Sequence, residues 1–247
     1  MSGMIFERKE IKYLLSREQA EAFRALAGER LQIDEYGKSL LLSLYFDTPD
    51  QRLIAHSLQH PVYKEKLRLR SYGIPEEDTT VYLELKKKYA GIVYKRRIAL
   101  PYREAKAWIR KEGKLPEGQI GREIEYFRSR YEGLMPKACI AYQREAFTAP
   151  GDPDLRVTFD TALQGRESDL SLDSEPWGKE LIKEDQVLLE IKAAHAFPLW
   201  LVRILSAMEL YKISFSKYGT LYRMKEKEEQ RGPLYCTELL LGGNHNA

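Results

Sequence analysis

Lys64-Glu65-Lys66-Leu67-Arg68-Leu69-Arg70 is the stretch on which the reading of this chain turns. Successive side chains of an extended strand point to opposite faces, so Lys66, Arg68 and Arg70 share one face and Leu67 and Leu69 the other. Tyr82-Leu83-Glu84-Leu85-Lys86 repeats the arrangement, with Glu84 and Lys86 opposite Leu83 and Leu85. The same phase puts Lys95 with Arg97, Tyr142 with Arg144, Arg156 with Thr158 and Asp160, Glu190 with Lys192, and Arg8 with Glu10 and Lys12. Any one of these faces reads first as a solvated surface, because water accepts either sign. Jointly they do not, because like charges opposite each other on neighbouring strands repel and an exposed sheet would match its arginines with acids. Turning the polar faces into one lumen resolves the conflict. Such a lining is costly when empty and favourable once a polyanion fills it, since guanidinium forks match phosphate oxygens bidentately. The acidic residues of the same phase, Glu10, Glu84, Asp160 and Glu190, then read jointly as oxygen ligands for a divalent cation, while simple ion pairing is the plainer role for any one of them.

Working outward, period-2 segments dominate. A strand over Ile5 to Leu15 leads into Ser16-Arg17-Glu18-Gln19, a capping box that opens a helix to about Leu31. Leu40 to Asp47 is a strand, and Thr48-Pro49-Asp50 starts a short helix through about Leu58. Strands follow over Val62 to Tyr72, Thr79 to Lys88 and Val93 to Leu100, then helices around Glu104 to Lys111 and Arg122 to Tyr131. Further strands cover Ala138 to Thr148, Asp154 to Ala162 and Val187 to Ala194. Phe197 to Leu210 is an amphipathic helix, Ile213 to Tyr218 a short extended piece, and a charged helix ends the pattern. About eight long antiparallel strands interrupted by helices predict an α+β fold built on a closed antiparallel β-barrel tunnel with flanking helices. One domain spans residues 1–231, and 232–247 form a tail.

Whole-chain numbers exclude several classes. Forty Lys and Arg stand against 37 Asp and Glu, so the net charge of +3 rules out a global polycation and makes any basic site local. No run approaches the roughly 18 apolar residues of a membrane span, and charges come before any signal-like apolar run, so the expected location is cytoplasmic. Cys139 and Cys236 form no CxxC pair; Cys139 alternates with Ala141 and reads as a core thiol. His56 and His60 have helical spacing, but Ser57 follows His56, so the HExxH general base is missing. No Walker A or kinase loop occurs. Aromatic base-stacking platforms are not interleaved with the basic strands, which argues against a nucleic-acid module.

At this level the residues resemble a known family. Phe6-Glu7-Arg8-Lys9-Glu10-Ile11-Lys12-Tyr13, Leu44-Tyr45-Phe46-Asp47-Thr48, Leu67-Arg68-Leu69-Arg70-Ser71-Tyr72-Gly73, Leu83-Glu84-Leu85-Lys86-Lys87-Lys88, Tyr142-Gln143-Arg144, Leu155-Arg156-Val157-Thr158-Phe159-Asp160-Thr161, Leu189-Glu190-Ile191-Lys192 and Phe215-Ser216-Lys217-Tyr218, in that order, resemble a VTC domain. This is the polyphosphate polymerase branch of the CYTH-like triphosphate tunnel metalloenzymes. The resemblance implies transfer of the γ-phosphoryl group of ATP to inorganic polyphosphate with Mn2+ or Mg2+. It implies phosphate contacts from Lys12, Arg68, Arg70, Lys86, Arg97, Arg144, Arg156, Lys192 and Lys217, with Glu190 as the leading metal ligand and Glu84, Glu10 and Asp160 as further candidates. The superfamily's Glu-x-Glu-x-Lys signature is Arg8-x-Glu10-x-Lys12 here, and Ser214 stands where some polymerases carry a second lysine. Two other readings remain open: a tunnel triphosphatase acting on tripolyphosphate or a nucleoside triphosphate, and a non-catalytic polyphosphate-binding module. A membrane-bound protein partner is compatible with any of the three.

Overall fold

The structure, a computed structural model, describes residues 9–231; the expected strand start at Ile5 to Arg8, the Phe6-Glu7-Arg8 part of the motif, Cys236 and the 232–247 tail lie outside the described residues. Its elements in chain order are β1 (Lys9–Ser16), α1 (Arg17–Ala27), β2 (Gln32–Asp47), α2 (Arg52–Leu58), β3 (Tyr63–Tyr72), β4 (Thr80–Tyr89), β5 (Ile92–Pro101), α3 (Tyr102–Ile109), α4 (Gln119–Arg130), β6 (Met135–Ala149), β7 (Asp152–Arg166), β8 (Lys179–Glu180), β9 (Gln186–Ala193), α5 (Leu199–Ala207) and α6 (Lys217–Arg231). The capping box is formed: Ser16 Oγ accepts from Gln19 N, and the Gln19 side chain accepts from Ser16 N.

Every strand pair is antiparallel, in the order β1-β9-β7-β6-β2-β3-β4-β5, with the two-residue β8 beside β7. The sheet curls, yet it is not a closed barrel, which corrects the expectation. The outer strands β1 and β5 share no ladder. The free edge of β1 is engaged elsewhere: Ile213 N donates to the Lys12 carbonyl, so a segment just before α6 covers that edge. Side chains span the seam instead, Lys86 of β4 lying 4.0 Å from Glu10 of β1. The expected extended piece Ile213 to Tyr218 is likewise shorter. Only Ile213 bridges, because Ser216 Oγ accepts from Gly219 N as a helix cap and α6 begins at Lys217.

Alternation assigns the faces. Leu42, Leu44, Leu67, Leu69, Leu83 and Leu85 point outward beneath Trp108 of α3 and Ile124 and Phe127 of α4. Val157, Phe159, Leu189 and Ile191 lie beneath Phe23 of α1 and Leu201 and Ile204 of α5. The buried Cys139 belongs to the first of these layers, as expected, and burial raises its thiol to about 11. A third apolar group lies on the concave side. Tyr45, Ile140, Leu163 and Leu188 meet Ile54 of α2 and Tyr218 and Leu221 of α6, plugging one end of the lumen.

The plug is fastened by Asp47 at the end of β2. Its buried carboxylate accepts from the backbone N–H groups of Thr48, Leu53 and Ile54 at 2.8, 2.8 and 3.0 Å and from the Tyr218 hydroxyl at 3.1 Å. Removing it leaves several buried donors without a partner, each costing about 1–3 kcal/mol. Asp47→Ala should therefore lower unfolding free energy by at least about 3 kcal/mol in urea titration; a loss below about 1 kcal/mol would show that water replaces the carboxylate and that it fastens nothing.

Candidate functional site: a cationic lumen

The residues on the polar phase of the strands converge on the concave side beyond the plug. Two clusters form there. In the first, Glu84 of β4 is held by Arg68 of β3 through Nε and Nη2 at 2.8 and 2.7 Å, by Lys95 of β5 at 2.6 Å and by Arg70 at 3.9 Å. Arg68 Nη1 also donates to Tyr45 Oη at 3.1 Å, and Arg70 donates to Tyr142 Oη at 3.3 Å and Ser43 Oγ at 3.4 Å. In the second, Arg144 of β6 grips Asp160 of β7 with two 2.6 Å bonds and reaches Glu190 of β9 at 3.0 Å. Lys217, at the first turn of α6, donates to the same two carboxylates at 2.6 and 2.9 Å. Lys12 of β1 lies 3.2 Å from Glu10 and 3.6 Å from Glu190, and Lys192 lies 3.4 Å from Glu190 and 3.9 Å from Glu10.

Charge on this face does not balance. Lys12, Lys66, Arg68, Arg70, Lys86, Lys95, Arg144, Lys192 and Lys217 face Glu10, Glu84, Asp160 and Glu190, nine cations to four carboxylates, an excess of five positive charges among the described residues. Lys66 has no carboxylate partner among them; its ammonium meets only Ser216 Oγ at 3.3 Å. Burial, with Lys64, Lys86 and Lys12 nearby, pushes it down to about 8 although Tyr45 opposes the shift. Burial would raise the Tyr45 phenol, but Arg68, Arg70 and Lys66 outweigh it and bring it to about 8. The same field overrides burial at the acids: Lys192, Lys12 and Lys86 hold Glu10 at about 2, Arg68, Arg70 and Lys95 hold Glu84 at about 2, and Lys217, Lys12, Lys192 and Arg144 hold Glu190 well below the usual carboxylate range. Thr158 Oγ1, on the lumen-facing phase opposite Glu190, is buried without a hydrogen-bond partner among the described residues.

Of the residues expected to contact phosphate, the structure brings together Lys12, Arg68, Arg70, Arg144, Lys192 and Lys217, with Lys86 half exposed at the seam. Arg97 and Arg156 lie instead at the open rim, Arg97 stacked 4.4 Å over the Tyr82 ring and Arg156 bonded to Asp34 at 2.7 Å. Lys66 and Lys95 belong to the site and were not among the expected contacts, although the alternation that marks Arg68 and Arg97 marks them too. Tyr45, Tyr72 and Tyr142 read from the sequence as packing aromatics, or as stacking partners for adenine if near an open mouth; Tyr45 is an arginine-bound phenol here.

A divalent cation has two carboxylates suited to it. Glu10 and Glu190 sit diagonally on the paired strands β1 and β9 and share Lys12 and Lys192. Cation contact does not set them apart from Glu84 and Asp160, since Glu190 itself is met by Arg144, Lys217, Lys12 and Lys192 and Glu10 by Lys12, Lys86 and Lys192; what sets them apart is that the two carboxylates neighbour each other across one strand pair. No three His, Cys, Asp or Glu side chains gather among the described residues, so the fit is to an ion that takes one or two carboxylates and draws its remaining ligands from phosphate and water, as Mg2+ does.

These groups imply a pH dependence. Above pH 8 Lys66 loses a positive charge and Tyr45 gains a negative one, and both changes oppose an anion in the lumen. Tripolyphosphate affinity should weaken from pH 7 to pH 9 by calorimetry, and Tyr45→Phe with Lys66→Arg should flatten the profile. An unchanged slope in that double variant would separate both groups from the ligand.

Sequence comparison matches the VTC domain family over residues 7–224. No curated protein sequence matches the chain at a significant level. Similar solved structures include a candidate adenylate cyclase from Bacillus halodurans, with 16% identity, TM-score 0.55 and coverage of 86% of this chain and 94% of that one. Another is a candidate adenylyl cyclase from Hippeastrum described as having a dominant triphosphatase activity, with 15% identity, TM-score 0.51 and coverage of 87% and 95%. At these identities the likeness is one of fold.

Proposed function

The chain belongs to the VTC domain family, and from that premise we propose that it is a polyphosphate polymerase: it transfers the γ-phosphoryl group of ATP to the end of an inorganic polyphosphate chain held in the lumen. The observation that carries this is the surplus of cations over carboxylates on the buried concave face, which a polyphosphate neutralises. A terminal oxygen of the chain attacks the γ-phosphorus, the bond from that phosphorus to the β,γ-bridging oxygen breaks, and ADP departs with the electron pair. Phosphoryl transfer of this kind needs positioning and charge neutralisation more than covalent help. Arg68 and Arg70, two residues apart and about 7 Å along the strand, are placed to take successive phosphates, and Arg144, Lys217, Lys12 and Lys192 hold the other side. Glu190 with Glu10 would hold Mn2+ or Mg2+, which would supply positive charge to the phosphoryl group in transfer.

The acids favour a phosphate acceptor over water. A water nucleophile gains from a general base matched to neutral pH; Glu10, Glu84 and Glu190 are all held far below it, and the lumen groups nearer to it, Lys66 and Tyr45 at about 8, are protonated at pH 7. A phosphate oxygen is already anionic and needs no base. Among the described residues no helix is long and apolar enough to cross a membrane.

Incubation with ATP and Mn2+ should yield polymer that grows on a gel; ADP and orthophosphate without growth would make the protein a triphosphatase, and binding without turnover a polyphosphate-binding module. Arg68→Lys and Arg70→Lys keep the charge and lose the fork, so each should cost about 3 kcal/mol of transition-state stabilisation, read as kcat/KM at fixed ionic strength. Near wild-type turnover in both would reduce these arginines to diffuse attraction. Glu190→Gln should abolish metal-dependent turnover while retaining polyphosphate binding, whereas full activity would remove Glu190 from the metal's ligands.

A further inference from the structure

The end of the lumen opposite the α2 and α6 plug is rimmed by aromatic rings that the phosphate contacts do not use. Tyr72 follows Arg70 by two residues on β3, so it shares the lumen-facing phase and lies about 7 Å farther out. Tyr82 sits directly across from Arg70 on β4, and its ring meets the Tyr72 ring edge-on at 5.9 Å. Tyr36 reaches the same place from β2. The ladder between β2 and β6 slips between Ile33 and Lys38, and in that slip Asp34 Oδ1 accepts from the N–H groups of Tyr36 and Gly37 at 2.9 and 3.1 Å, with Gly37 at φ +53°. Asp34 Oδ2 is at the same time fixed by Arg156. A bulge of this kind re-aims a side chain, and here it lays the Tyr36 ring near-parallel to Tyr72, 23° between planes and 6.5 Å between centroids. Tyr72 is 44% exposed and Tyr36 63%. Arg97, stacked on Tyr82, has no carboxylate partner among the described residues.

Exposed aromatic faces at the mouth of a phosphate lumen have a chemical use, since every nucleobase offers a flat face to stack on a ring. We propose that Tyr72, with Tyr36 and the Arg97–Tyr82 pair beside it, is the platform for the base of the donor nucleoside triphosphate. The inference rests on the reading of the lumen as a triphosphate site and adds what selects the nucleotide. The base lies on Tyr72 and the phosphates run inward past Arg70 and Arg68 toward Lys66, along one face of β3. Asp34, through the bulge and Arg156, is a positioning residue for Tyr36. Because a purine presents more area to a ring than a pyrimidine, purine nucleoside triphosphates are the preferred donors.

Calorimetry at fixed salt with ATP, CTP and base-free tripolyphosphate tests this on the unmodified protein and on Tyr72→Leu, which keeps an apolar side chain without a ring. The unmodified protein should bind ATP more tightly than CTP. In Tyr72→Leu the ratio of ATP to tripolyphosphate affinity should fall about tenfold, the scale of one lost base–aromatic stack, and Tyr72→Trp should restore it. Equal affinity for ATP and CTP, an unchanged ratio in Tyr72→Leu, or an equal loss for both ligands in that variant would each overturn the platform while leaving the triphosphate lumen standing. Failure of the unmodified protein to bind tripolyphosphate at all would overturn the lumen reading, and the platform with it.

Discussion

The rest of the structure depends on uncompensated positive charge in a partly dehydrated concavity. An exposed ion pair is worth little, and a patch of like charges on an open surface is screened within about a Debye length. Behind apolar walls the same charges interact more strongly. Their effect is visible at the acids, where Glu10 and Glu84 are drawn to about 2 against the burial that would raise them, and at Tyr45, whose buried phenol is brought to about 8. Four carboxylates hold eight of the nine cations in place without neutralising them, and Lys66 meets only Ser216, which leaves a cavity organised for an anion.

Holding such a lining together requires stability from elsewhere. It comes from the opposite phase of the same strands, where leucines, valines and aromatics are covered by α3 and α4 on one half of the sheet and by α1 and α5 on the other. Asp47 ties α2 to Tyr218, and Tyr218 stacks on Tyr45 with 5.2 Å between ring centroids, so the plug and the Arg68 cluster share a wall. At the open seam the edge of β1 is covered by the Ile213 bridge, and side chains of the other half of the sheet reach across, Lys86 of β4 to Glu10 and Lys66 of β3 to Ser216. Between the two halves of the sheet, strand pairing is thus replaced by side chains that also belong to the site.

Alternation made the facing of residues legible. Leu67 and Leu69 against Arg68 and Arg70, or Leu189 and Ile191 against Glu190 and Lys192, could be assigned before any coordinates, because one residue of slip would put charge into the apolar layers. Closure was not legible, since periodicity says which way a side chain points and nothing about whether two distant edges meet. Depth along the lumen was hidden for the same reason: Arg97 and Arg156 have the right phase and lie at the rim. Asp34-Glu35-Tyr36-Gly37 has the composition of a turn, and the bulge inside β2 that it forms depends on the register with β6. Lys217, read from the sequence as part of an extended piece, sits instead at the start of a helix whose cap is Ser216.

The central claim is that the surplus positive charge of the lumen is neutralised by a bound polyphosphate. A ligand that binds only the folded state raises its melting temperature in proportion to occupancy, and binding that neutralises several charges weakens steeply with salt. Thermal unfolding with and without tripolyphosphate, repeated across a range of NaCl concentrations without added metal, measures both at once. The account predicts a large upward shift at low salt that collapses as salt rises. No shift at low salt, or a shift indifferent to salt, would contradict it.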